Sequence, residues 1–147
     1  MARARDVVEA AYRAWNAGDL DKMLKDYDEK ATYWSTARTA GVNGTAQIRE
    51  YCRGQLTTFP GIQIEVTRLI ESGDWVAVEY RLHGTHKGPL ETPSGTIPAT
   101  EKAIELAGAE FFETRDGKIV TERNYVDSLE LMRQLGLIPV PQQRADR

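Results

Sequence analysis

Cysteine is nearly absent. Cys52 stands alone among 147 residues, which excludes a disulfide framework and any cysteine-based metal site. Histidine is almost as scarce, and neither His83 nor His86 has a partner at metal-ligand spacing, so no metal is expected. Long apolar runs are missing too. The charged start MARARDVVEA lacks a signal-peptide core, and nothing further on is long enough to span a bilayer. The expected setting is the cytoplasm, away from a membrane. There is no excess of basic charge: the net charge is −3, and Lys and Arg are scattered among acids without a basic stripe, which argues against nucleic acid as a partner. Repeats and low-complexity segments are absent. What remains is an ordinary globular composition, 41% hydrophobic and 28% charged. Residues 1–147 are read as a single domain, able to bury roughly two thirds of its unfolded surface.

Ala4, Val7, Val8, Ala11, Tyr12 and Trp15 fall on one face at helical spacing, predicting a helix over residues 4–17. Asn16-Ala17-Gly18-Asp19 stops it, and Asp19 is suited to cap a second helix carrying Leu20, Met23, Leu24 and Tyr27. A short strand is predicted from Ala31 to Thr36, then a loop, then a third helix from about Ala46 to Phe59, ended by Pro60-Gly61. Two alternating strands follow, joined at Gly73-Asp74. Residues 84–100 hold three prolines and three glycines and read as one long loop, of the kind that forms a lid or pocket rim. A short helix from Leu129 to Leu135 ends at Gly136, and Pro139 and Pro141 begin a tail. Helices first and strands after predict an α+β fold, with three N-terminal helices packed on a curved, mixed, mostly antiparallel sheet. Such a sheet closed by helices makes a cone with an apolar interior, a natural small-molecule site.

The stretch from Ile104 to Leu137 organises the chain. Asp116-Gly117 between two strand-like runs is a strong hairpin signal. With those two residues as the turn, Arg115 faces Lys118, Phe112 faces Thr121, Glu110 faces Arg123, Gly108 faces Tyr125 and Leu106 faces Asp127. Side chains alternate along a strand. One face then carries Leu106, Glu110, Phe112, Arg123, Tyr125 and Asp127, a mixture of ionisable and large apolar groups expected of a pocket lining.

Five segments, Trp15-Asn16-Ala17-Gly18-Asp19-Leu20-Asp21, Gly44-Thr45-Ala46-Gln47-Ile48-Arg49, Gly84-Thr85-His86-Lys87-Gly88, Arg115-Asp116-Gly117-Lys118-Ile119-Val120 and Leu131-Met132-Arg133-Gln134-Leu135-Gly136-Leu137, together resemble the SnoaL-like polyketide cyclases and ester cyclases. These belong to the cone-shaped NTF2-like superfamily, with ketosteroid isomerase and limonene-epoxide hydrolase. The resemblance covers roughly residues 5–139. It implies a homodimer and ring closure by intramolecular aldol condensation on a hydrophobic carbonyl compound, without metal or organic cofactor. It also implies that Asp127, at the end of the last strand, is the catalytic acid/base. A carboxylate in an apolar pocket is a stronger base because desolvation raises its pKa. The roles of ketosteroid isomerase map poorly: its base falls on Ser35 and its helix tyrosine on Ala11, and only Glu110 matches an oxyanion acid. The epoxide hydrolase bridges two carboxylates with an arginine. Glu110, Arg123 and Asp127 supply the types, but its arginine position is Gly108 here. Epoxide hydrolysis is one alternative function, and ligand binding without catalysis is another.

Each of these residues also has a structural reading. Asp127-Ser128-Leu129-Glu130 has the form of a capping box, so Asp127 could cap the last helix. Glu110 and Arg123, if opposite, would form a cross-strand ion pair, their Cβ atoms about 5 Å apart. Four residues along a strand put Glu110 ~13 Å from Asp127, too far to share a proton. His86 has pocket parity, whereas His83 falls on the polar face. The expected substrate-binding set is Tyr125, Arg123, Glu110, His86, Tyr12, Trp15, Tyr33, Trp34 and Tyr51. Tyr33 and Trp34 point to opposite faces, so only one of them is expected to reach the cavity.

Overall fold

The computed structural model describes residues 2–38 and 40–138. In chain order the elements are α1 (Ala4–Asn16), α2 (Leu20–Leu24), β1 (Tyr27–Ser35), β2 (Val42–Asn43), α3 (Thr45–Thr58), β3 (Gln63–Ser72), β4 (Trp75–Thr85), β5 (Leu90–Thr92), β6 (Gly95–Ile97), β7 (Ala103–Arg115), β8 (Lys118–Val126) and α4 (Ser128–Gln134). The fold is α+β, as expected. The tail read at Pro139 and Pro141 lies outside the described residues. No helix among them is long and apolar enough to cross a membrane.

The main sheet runs β2-β1-β8-β7-β4-β3. β1 and β8 pair in parallel and the other neighbours are antiparallel, so the sheet is mixed. α1 lies across it, burying Val7, Val8, Ala11 and Tyr12, the stripe that its periodicity predicts. Gly18 takes a positive φ of 71°, and the Asp19 side chain accepts from the Lys22 amide at 3.0 Å to cap α2. The Asn16 amide fixes the end of α1 to the sheet edge. It donates to the Ile64 carbonyl and accepts from the Ile64 N–H, both at 2.8 Å.

Two readings change. β1 begins at Tyr27, four residues before the predicted start, so Tyr27 is buried as a strand residue and not as part of a helix. The presumed loop 84–100 holds the last two residues of β4 and a small hairpin, β5 with β6. Lys87 and Gly88 donate to the Thr58 carbonyl, and the Thr58 hydroxyl donates to Pro89, which ties this segment to the end of α3. One apolar cluster fills the space between α1, α2, α3 and the sheet. A second, around Phe59, Ile62, Leu90, Ile104, Leu106 and Leu135, closes the end where β5 and α4 lie.

Candidate active site

The Asp116-Gly117 turn forms as expected, with φ of 51° and 76° at the two residues, and Arg115 faces Lys118. The predicted register then fails. Thr114 faces Ile119 but Glu113 faces Thr121, so Val120 has no partner and the strand bulges there. Beyond that point Phe112 faces Glu122, Glu110 faces Asn124 and Gly108 faces Val126. A one-residue slip sends every later side chain to the other face. Glu122 and Asn124 therefore turn inward, beside Glu110 and Phe112. Arg123 and Tyr125 turn outward, and the expected Glu110–Arg123 ion pair does not exist.

The inward face of β7 is a row of buried residues, Leu106, Glu110, Phe112 and Thr114, and Glu110 is 5% exposed. With the helices it encloses a cavity of about 120 Å³. Glu110, Glu122 and Asn124 line it together with Tyr12, Tyr27, Tyr33, Tyr51 and Tyr80. Trp15, Cys52, Gln55 and apolar residues such as Ile48 and Phe112 also line it, and no lysine or arginine does so among the described residues.

Tyr12 donates to Glu110 at 2.8 Å, and Tyr27 donates to Glu122 at 2.5 Å. The two carboxyl groups share the cavity and interact there. Burial pushes Glu110 well above the usual carboxylate range, and the charge of Glu122 and its hydrogen bond push it further. The Tyr12 hydrogen bond opposes them. With no cation in the wall, nothing compensates for ionising both acids. Burial likewise raises Tyr12 and Tyr27, and the facing carboxyls add to it, so both phenols remain donors.

A second set of bonds runs beside the pair. Tyr80 donates to Asn124 Oδ1 at 2.6 Å, and Asn124 Nδ2 donates to the Tyr33 hydroxyl at 3.2 Å. Tyr33 packs on Tyr51 with ring centroids 5.0 Å apart. Gly108 makes room for this arrangement, because a Cβ there would lie 2.3 Å from the Tyr80 hydroxyl. Trp15 brings an indole N–H that is buried and without a partner, a free donor in the cavity wall.

The structure therefore gathers Glu110, Tyr12, Trp15, Tyr33 and Tyr51 from the expected set. It does not gather Asp127, Arg123, Tyr125, Trp34 or His86. Asp127 is exposed, and its carboxylate accepts from the Glu130 amide at 2.9 Å as the cap of α4. That bond satisfies one of the donors left free at a helix start. Glu130 does not reach back to complete a capping box; it holds Arg133 at 2.7 Å. Trp34 lies on the outer face, where the Arg123 guanidinium sits 4.5 Å from its ring and Tyr125 packs at 5.2 Å. His86 is fully buried in the second cluster, with Nδ1 2.9 Å from the Thr100 hydroxyl and its ring against Phe59.

Sequence reasoning missed Glu122, Asn124, Tyr27 and Tyr80. One signal was available for the first two: Ile119-Val120, two successive apolar residues just after the turn, breaks the strand's alternation.

Residues 5–135 match the family described as SnoaL-like polyketide cyclase. Among solved structures the chain is similar to a candidate polyketide cyclase from Xanthomonas campestris pv. campestris, at 26% identity and TM-score 0.74, over 90% of this chain and 96% of that one. It is similar to IdmH of Streptomyces antibioticus, a candidate polyketide cyclase, at 25% identity and TM-score 0.76, over 92% and 99% of the two chains. A candidate SnoaL-like polyketide cyclase from Jannaschia sp. CCS1 shares the fold at TM-score 0.81 and 20% identity, over 92% and 93%. A comparison with curated proteins finds no match.

Proposed function

Given that the chain belongs to the SnoaL-like polyketide cyclase family, we propose that it is a cofactor-independent acid/base enzyme. Its substrate is a hydrophobic carbonyl compound, and its reaction is an intramolecular aldol ring closure or a related isomerisation in the cytoplasm. One observation carries the reading: Glu110 and Glu122 line a tyrosine-rich cavity, where burial and the neighbouring Glu122 raise the Glu110 carboxyl well above the usual carboxylate range.

In this mechanism Glu122 takes the proton from the carbon beside a carbonyl, and the enolate carbon attacks a second carbonyl of the same molecule. Glu110 gives its proton to the oxygen that becomes a hydroxyl. One C–H bond and the π bond of the second carbonyl break, one C–C and one O–H bond form, and the product is an isomer of the substrate. Proton transfer from Glu122, its neighbour in the cavity, then returns the proton to Glu110. Trp15 and the tyrosine hydroxyls are placed to hold the substrate oxygens. Positioned acid/base groups of this kind contribute about 10²–10⁴-fold each. Asp127 has no part in this reading, because its carboxylate caps α4 outside the cavity. Epoxide hydrolysis through an arginine-bridged pair is disfavoured by Arg123, which faces away from both acids.

The test uses a ketone small enough for the cavity. Exchange of the α-protons of cyclopentanone in D2O, followed by NMR, is accelerated by the wild type. Glu122→Gln removes the acceleration and Glu110→Gln lowers it about 100-fold or more. Variants that stay folded and exchange at the wild-type rate would reduce the pair to a structural feature and the cavity to a binding site.

We also propose that the outer sheet face joins two copies of the chain. Phe111, Tyr125 and Trp75 are 43%, 41% and 45% exposed there, beside Trp34 and Arg123. A contiguous aromatic patch of this kind is unusual on a monomer.

A further inference from the structure

We infer that the cleft between α3, β5 and α4 is a second compartment of the same site, which binds the body of an elongated, flat, apolar substrate and reads an anionic group on it through Arg38. The inference rests on the cyclase reading for what happens in the inner cavity, but not for where the rest of the molecule lies.

Size is the first argument. The inner cavity, at about 120 Å³, is on the scale of a single benzene-sized ring, since a cavity of about 150 Å³ takes benzene. The cleft outside it has about 700 Å³, within the ~300–1,000 Å³ of sites for larger ligands. Tyr51 and Gln55 line both spaces, so the two meet across one turn of α3. A substrate with its reacting end beside Glu110 and Glu122 must leave the remainder in this cleft. Phe59, Leu90, Leu131 and Met132 provide an apolar wall for it.

Charge is the second argument. Arg38 lines the cleft, with its guanidinium 4.8 Å from the centre of the ring of Tyr51, a residue of both walls, and Nε donating to the Ala40 carbonyl at 3.2 Å. It has no acidic partner among the described residues. The cleft's other arginine, Arg53, is taken by Glu50 at 2.8 Å. The remaining acid, Glu91, stands on β5 and accepts from the Thr96 hydroxyl. The free cation thus sits against Tyr51, which lines both spaces, and the free acid stands on β5. The cation–π contact with Tyr51 holds the guanidinium over the passage, where it can donate to a carboxylate or phenolate. The Ser128 hydroxyl, buried in the cleft wall without a partner, adds a neutral donor for a substrate oxygen.

The test is a fluorescence titration with two probes of the same ring skeleton, anionic 8-anilinonaphthalene-1-sulfonate and neutral N-phenyl-1-naphthylamine. Both are too large for the inner cavity. Both bind the wild type. Arg38→Gln weakens the anionic probe about tenfold, the order expected for one charge-assisted hydrogen bond, and leaves the neutral one within about twofold. Gly54→Phe weakens both, because Gly54 lines the cleft and the space beside its Cβ position is open, so a ring enters without disturbing α3. Glu110→Gln binds both probes as the wild type does, which separates this test from that of the carboxyl pair. Equal losses of the two probes in Arg38→Gln, or unchanged binding in Gly54→Phe, would overturn the inference.

Discussion

Replacing Glu110 by Gln should make the protein more stable at neutral and alkaline pH while leaving it unchanged at low pH. The sign follows from linkage. Burial and the facing Glu122 raise the carboxyl of Glu110 well above its ordinary 4.5. Between that ordinary value and the folded one, the native state holds a proton that the unfolded chain has released. Stability contributed by this proton is complete below the ordinary value and falls as pH rises towards the folded one. The slope is about 1.4 kcal/mol per pH unit, or roughly 3–5 °C in Tm per unit for a chain of this size. Gln keeps the shape, can accept from Tyr12 and donate to Glu122, and does not titrate. Urea denaturation from pH 4.5 to 8.5 measures both proteins, and the difference between them isolates Glu110 from every other titrating group. The two curves should converge near pH 4.5 and separate at up to that slope as pH rises. Glu122→Gln removes the facing charge and leaves burial as the main cause, so the window should close at a lower pH in that variant. Parallel curves for wild type and Glu110→Gln would refute both the buried proton and the acid role built on it.

Three further outcomes are expected. Asp127→Ala should cost about 1 kcal/mol by urea denaturation, the usual value of a lost cap, and Asp127→Ser much less. Neither should slow α-proton exchange, and a slowed Asp127→Ser would return the acid/base role to this residue. Gly108→Ala puts a methyl group 2.3 Å from the Tyr80 hydroxyl. It should cost about 1–3 kcal/mol as Tyr80 is forced off Asn124, and a neutral effect would show that Tyr80 is not held there. The double variant Phe111→Glu, Tyr125→Glu should sediment as a monomer where the wild type sediments as a dimer; a variant that remains dimeric would place the interface elsewhere.

The readable parts of the chain were those set by neighbours in sequence. Val7, Val8, Ala11 and Tyr12 recur at the helical period, so α1 and its buried face followed directly. Gly18-Asp19 and Asp116-Gly117 announced themselves because few other residue types take those backbone angles and caps. Tyr33 and Trp34, adjacent on β1, divided between cavity and outer face as strand alternation requires. The family resemblance, which covers most of the chain, was legible in the same way, through short segments each carrying its own local geometry.

The identity of the inward-facing acids was not legible, and one residue explains why. Strand alternation has a period of two, so a single unmatched residue at Val120 exchanges Arg123 and Tyr125 for Glu122 and Asn124. Turn chemistry fixes register only up to the first bulge. Whether a bulge forms depends on what lies beside the strand in space. Here β1 runs parallel to β8 and its own register jumps over the same stretch, from Tyr27 opposite Ile119 to Thr32 opposite Thr121. That contact joins residues about 90 positions apart, and no local pattern encodes it. Sequence alone thus determined the fold, most of its elements and the presence of Glu110 in an apolar row, but not the early start of β1 or the β5–β6 hairpin. Tertiary packing decided that its partner is a second glutamate and not an arginine, and so replaced the expected ion pair with two acids in one cavity, where burial raises the Glu110 carboxyl.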